Sequence, residues 1–150
     1  MNEKIKLKVI KYNKYLQNIL DIKLINKFYS KSYIIYENNI KGKEYQGYND
    51  SLIYESEYLN RERNGKGKEY YYDGILKFEG EYLNGKRNGK GKEYDENGNL
   101  EFEGEYLNGK KNGKGKEYDV FGELKFEGEY LNGRKNGKGK EYYYDGNLFF

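Results

Sequence analysis

A block of sequence recurs every 24 residues, and this period constrains the fold more than any other property of the chain. Leu83-Asn84-Gly85, Leu107-Asn108-Gly109 and Leu131-Asn132-Gly133 are each followed at constant distance by Asn-Gly-Lys-Gly-Lys-Glu-Tyr, ending at Tyr94, Tyr118 and Tyr142. An earlier unit runs the same way from Leu59-Asn60 to Tyr70. A decayed copy precedes it, with Tyr29 to Tyr33 aligned on Phe78 to Tyr82 and Lys41 to Tyr45 aligned on Lys90 to Tyr94. At the other end Leu148-Phe149-Phe150 opens a further unit and stops, which predicts an unpaired aromatic edge open to a second chain. Repeats of this size are single supersecondary units that bury their apolar face only by stacking.

Within a unit, Phe78-Glu79-Gly80-Glu81-Tyr82-Leu83 alternates with the period of a half-exposed strand, not of a helix. Asn84-Gly85-Lys86-Arg87-Asn88-Gly89 is rich in residues that accept positive φ and reads as the hairpin turn. Lys90 to Tyr94 is the return strand, and Asp95 to Asn99 the turn into the next hairpin. Glycine weakens a strand unless something must approach closely. The expectation is therefore that Phe78, Tyr82, Phe102, Tyr106, Phe126 and Tyr130 lie over glycines of neighbouring strands. Gly80, Gly89, Gly91, Gly104, Gly113, Gly115, Gly128, Gly137 and Gly139 are then structural. On the other face Glu79 and Glu81 are placed to meet Lys90 and Lys92, in cross-strand pairs worth about 0.2 to 1 kcal/mol each.

The stretch 78–91, repeated at 102–115 and 126–139, resembles the MORN (membrane occupation and recognition nexus) motif, Tyr-x-Gly-x-aromatic-x-x-Gly-x-x-x-Gly-x-Gly. The resemblance covers about 54–150 and, more weakly, 29–53. Two departures stand out: the period is one residue longer than the common form, and the unit 54–70 carries Ser56 and Arg61 where glycine is expected, so it should pack less regularly. The resemblance implies an elongated, single-layer antiparallel sheet of tandem hairpins with its aromatics on the concave side. Ten or so strands would make a rod on the order of 45 Å long.

Composition narrows function. The chain has no Cys and no His, which removes disulfides, thiolate sites and the commonest base and metal ligand. No cofactor or metal site is expected. Paired carboxylates such as Glu79 and Glu81 recur in every unit, whereas a catalytic pair is normally made once. Gly89-Lys90-Gly91-Lys92 lacks the spacing of a phosphate loop. Twenty Tyr and seven Phe offer stacking platforms for nucleic acid. The repeats are nevertheless slightly acidic, because residues 1–35 hold eight Lys against two acids and the rest twenty basic against twenty-three acidic residues. The abundance of Lys, Asn, Ile, Tyr and Glu points to AT-rich coding. No apolar run approaches the length of a membrane span, which predicts an intracellular, cytoplasmic chain.

Three segments follow. Residues 1–28 read as a basic amphipathic helical cap, with Ile5, Val9, Tyr12, Leu16, Ile19, Leu20 and Leu24 near helical spacing. Residues 29–53 are the degenerate repeat and 54–150 the regular ones. The fold class is mainly β with a short α-helical N-terminal cap. Function is expected to be non-enzymatic. In the first reading the aromatic groove and the open sheet edge bind a protein partner or a second copy. In the alternative the chain is a peripheral membrane module, with Lys86, Arg87, Lys110, Lys111, Arg134 and Lys135 facing anionic lipid at the turns.

Overall fold

The computed structural model describes residues 32–37, 40–46, 50–143 and 147–148. The helical cap expected over 1–28 and the edge residues Phe149 and Phe150 lie outside the described residues. The ten strands are β1 (Tyr33–Tyr36), β2 (Lys41–Tyr45), β3 (Leu52–Leu59), β4 (Glu62–Tyr70), β5 (Leu76–Leu83), β6 (Lys86–Tyr94), β7 (Leu100–Leu107), β8 (Lys110–Tyr118), β9 (Leu124–Leu131) and β10 (Arg134–Glu141). They form one open antiparallel sheet in chain order, because connections this short can join only antiparallel neighbours.

The hairpin turn is shorter than the six residues the composition of 84–89 suggests. Asn84 and Gly85 alone make it, with φ of 50° and 77°, and Leu83 faces Lys86 across the first rung. Two residues of positive φ make a hairpin turn whose twist suits the flanking strands, so the ladder resumes at once. Strand β6 therefore starts at Lys86 and not at Lys90. The remaining turn-like residues form a bulge: the register passes from Gly80↔Gly91 to Tyr82↔Arg87, and Gly89 takes φ of 95°. This bulge stitches repeats together. Asn88 Oδ1 accepts the Asn108 N–H at 3.3 Å, and Asn112 Oδ1 accepts that of Asn132 at 3.3 Å. The Gly109 and Gly133 N–H groups donate to the Arg87 and Lys111 carbonyls at 2.8 Å.

The unit 54–70 keeps the register of its neighbours despite its two departures. Ser56↔Gly67, Tyr58↔Arg63 and Leu59↔Glu62 repeat the pairing of Gly80↔Gly91, Tyr82↔Arg87 and Leu83↔Lys86. The less regular packing expected there is not seen. The departure is local: Arg61 sits at φ of 68° where the later turns place glycine.

The core is one face of the sheet. Tyr54, Tyr58, Phe78, Tyr82, Phe102, Tyr106, Phe126 and Tyr130 are buried, and consecutive rings meet edge to face in a continuous zigzag. Phe78 contacts Tyr82 of its own strand at 5.6 Å between centroids and Tyr106 of the next hairpin at 5.3 Å. Each such pair adds about 0.5 to 1.5 kcal/mol to the burial of the rings, and every second contact joins different repeats. A hairpin is marginal alone and becomes stable in the array.

Candidate functional site

The ring face is closed. Phe78 and Phe102 are fully buried and Tyr82, Tyr106, Phe126 and Tyr130 nearly so. What closes it is a layer of charged side chains laid over the rings. The Arg87 guanidinium lies 3.9 Å from the Phe78 centroid, Arg63 lies 3.5 Å from that of Tyr54, and the Lys111 and Lys135 ammonium groups lie 4.0 Å from Phe102 and Phe126. Carboxylates on the same face hold these cations in place. Arg87 forks onto Glu69, Nη2 to Oε2 at 2.7 Å and Nε to Oε1 at 3.2 Å, and reaches Glu93 at 2.5 Å. Lys111 bridges to Glu93 at 3.1 Å, and Lys135 to Glu117 and Glu141 at 3.2 and 3.0 Å. Burial alone would raise the pKa of Glu69, but the hydrogen bonds from Arg87 and from the Tyr82 hydroxyl, at 2.7 Å, outweigh it and hold the carboxyl below its ordinary value. Burial raises the Tyr82, Tyr106 and Tyr130 hydroxyls, and the Glu69, Glu93 and Glu117 carboxylates beside them add to the rise.

Six of the predicted structural glycines lie beneath these rings. A Cβ on Gly80 would meet Phe78 Cζ at 2.7 Å, and one on Gly91 would meet Phe78 Cε2 at 2.6 Å. Gly104 and Gly115 under Phe102, and Gly128 and Gly139 under Phe126, repeat the arrangement. Gly89, Gly113 and Gly137 are different, since their nearest neighbours are the carboxylates of Glu81, Glu105 and Glu129 at the bulge.

The groove is on the opposite face. A trough of about 1300 Å³ runs from β2 to β10, and no core ring lines it. The expected placement of the six aromatics in a groove is thereby corrected: period-two alternation puts them together, but the open side is the one that carries Glu79 and Glu81. The trough floor is backbone at Gly67, Gly80, Gly91, Gly104, Gly115, Gly128 and Gly139. One wall is Glu55, Lys68, Glu79, Lys92, Glu103, Lys116, Glu127 and Lys140; the other is Glu57, Lys66, Glu81, Lys90, Glu105, Lys114, Glu129 and Lys138. Glu79 stands opposite Lys92 as expected, whereas Glu81 faces the bulge. Among these wall residues the ion pairs are Lys92–Glu103 at 3.8 Å and Lys140–Glu127 at 3.2 Å. Tyr94 and Tyr118 donate their hydroxyls to Glu79 and Glu103 at 2.9 and 2.7 Å. Burial and these carboxylates push both phenols up to about 12.

The six basic turn residues divide. Arg87, Lys111 and Lys135 belong to the ring face, as described. Lys86, Lys110 and Arg134 are exposed and pair in register with Leu83, Leu107 and Leu131, which are themselves about half exposed. This split has a sequence signal that composition hides: the first basic residue of each pair is odd-placed relative to the bulge and the second shares the ring face with Tyr82.

The family model described as MORN repeat matches residues 54–75, 78–100, 102–120 and 126–148, more than half of the chain. The chain belongs to the MORN repeat family. As a MORN chain it is a repeat scaffold, and its matched units are the hairpins described above. Among solved structures it is similar to the crystal structure of TarM, at 11% identity and a TM-score of 0.46, covering 85% of this chain and 26% of that one. This chain thus spans about a quarter of that structure's length. No curated protein matches.

Proposed function

We propose that this MORN chain is a non-enzymatic scaffold that receives a protein partner along the charged groove. The observation that carries the reading is the groove itself: walls repeated hairpin by hairpin over a backbone floor, continuous from β2 to β10. Such a surface offers a long partner many equivalent contacts and contains no single distinguished position where chemistry would be done. On the opposite face the rings from Tyr54 to Tyr130 are buried. Photocrosslinking groups placed at Lys92 and Lys116 in the groove and at Asp73 in a connecting turn test it. Protein adducts from the groove positions, competed by unlabelled chain, are the expected result. Adducts only from Asp73, or none, would end the reading.

One observation favours a second reading, association with an anionic membrane surface. Each of three successive turns presents an exposed leucine beside an exposed cation: Leu83 with Lys86, Leu107 with Lys110 and Leu131 with Arg134. Three unopposed cations are worth about 1 kcal/mol each near an anionic leaflet. Cosedimentation with vesicles containing phosphatidylserine should then fall when Lys86, Lys110 and Arg134 are changed to Ser. Equal pelleting with neutral vesicles would dismiss it.

A further inference from the structure

The signs of the groove charges follow strand parity. From β2 to β10 every even-numbered strand contributes only lysines to the walls and every odd-numbered strand from β3 only glutamates. Lys41 and Lys43 stand on β2, Glu55 and Glu57 on β3, Lys66 and Lys68 on β4, and so on to Lys138 and Lys140 on β10. The groove is thus a set of transverse stripes of alternating charge, about 4.8 Å apart.

A striped surface of this kind can complement itself. Turning a second copy by 180° about an axis parallel to the strands brings groove to groove, reverses strand order and keeps position along the strand. If the axis falls between β6 and β7, β5 lies over β8 of the second copy and β6 over β7. Odd strands then always meet even strands. Glu79 and Glu81 face the second copy's Lys116 and Lys114, and Lys92 and Lys90 face its Glu103 and Glu105. Turning about the long axis of the sheet instead sets each strand over itself, with glutamate on glutamate. For a second copy the charges therefore favour the first orientation over the second.

The side chains are positioned for this use. Lys90 and Lys114 are exposed, and neither makes an ion pair within 4.0 Å among the described residues. Glu81 and Glu105 are exposed as well. Because the walls rise over a glycine floor, two grooves would meet wall to wall and leave a wet channel between the floors. Sheet twist would concentrate the contact on β5 to β8. Sheet-edge pairing through β10 would use backbone hydrogen bonds and would be indifferent to these charges.

We infer that the groove face is a self-complementary interface for a second copy of this chain, held by alternating charge stripes in a two-fold, strand-order-reversing arrangement. The inference rests on the scaffold reading and names its partner. The sharpest test uses two full-length variants, one with Glu79→Lys and Glu81→Lys and the other with Lys114→Glu and Lys116→Glu. Each alone would set like charges together in its own dimer, while the mixture restores both contacts. In sedimentation velocity the unchanged chain should form a reversible dimer whose Kd weakens about tenfold between roughly 0.05 and 0.5 M salt. Each variant alone should be monomeric, and the equimolar mixture should dimerise.

Two added lysines or glutamates on one strand can harm folding, so a milder pair is run beside them. The chain has no cysteine, which allows Glu79→Cys in one preparation and Lys116→Cys in another. A bismaleimide of about 10 Å, the usual separation of facing sheets, should link the two variants to each other and not Glu79→Cys to itself. A monomeric unchanged chain, variants that dimerise like the unchanged chain, or self-linking of Glu79→Cys equal to cross-linking would each overturn the inference. If copies do not associate while groove photocrosslinks to another protein persist, only this inference falls. If neither occurs, the scaffold reading falls with it.

Discussion

Basic side chains and glutamates line both faces of this sheet, yet they do different work on each. On the ring face Arg87 is wedged between Glu69, Glu93 and the Phe78 ring, with its side chain 18% exposed. On the groove face Lys92 reaches Glu103 only at 3.8 Å and its side chain is 47% exposed. The difference teaches that a charge ladder stabilises a single-layer sheet where it replaces water over an apolar surface. Where water already reaches both partners, the same ladder leaves stability nearly unchanged and keeps its charges facing solvent.

Truncating a ring should produce the largest contrast between the faces. Phe102→Ala removes a side chain with no solvent exposure and breaks contacts to Tyr106 and Tyr130, so chemical denaturation should show a loss of about 3 to 5 kcal/mol. A loss under about 1 kcal/mol would mean the ring face is not the core. Next in size is Gly91→Val. The added side chain must displace the Phe78 ring, which Arg87 and Tyr106 confine, at an expected cost of about 1 to 3 kcal/mol.

Arg87→Gln should cost about 2 kcal/mol, because it leaves Glu69 part-buried without its cation. It should also change the response to acid. Glu69 has a folded pKa below its ordinary value, so its contribution is present above the unfolded pKa and disappears as pH falls through the folded one. The unchanged chain should therefore lose stability on acidification over that window more steeply than Arg87→Gln. Parallel curves would show that the pair does not carry this dependence.

Arg61→Gly tests the turns and should work in the opposite direction. Arg61 holds φ of 68° where the three later turns have glycine, so relieving it should stabilise the chain by about 1 kcal/mol, seen as a higher thermal midpoint. The smallest effect is expected in the groove: Lys92→Ala should shift stability by less than about 0.5 kcal/mol, and a larger loss would erase the distinction between the faces.

Much of this architecture could be read from residue order. The 24-residue period, the alternation of Phe78, Gly80 and Tyr82, and the Asn-Gly turns are local signals, and the observed strands follow them. The turn is shorter than its composition suggests because Asn88-Gly89 has the same chemistry as Asn84-Gly85. Both accept positive φ, and only their place in the ladder makes one a turn and the other a bulge. Arg87 and Lys86 are indistinguishable in the sequence for a similar reason. Adjacent cations look alike in a sequence, while the strand sends them to opposite faces.

What sequence by itself determined is which residues travel together: rings with glycines and the second cation of each turn, Glu79 and Glu81 with lysines. That follows from the two-residue period of a strand, which any register must respect. What only the tertiary structure decided is which of these two faces is closed and which is open. A single layer has solvent on both sides, and neither alternation nor composition says where it will bend. That outcome emerges when ten strands, their twist and a bulge in each repeated hairpin are added together, with Arg63, Arg87, Lys111 and Lys135 laid over the rings on one side.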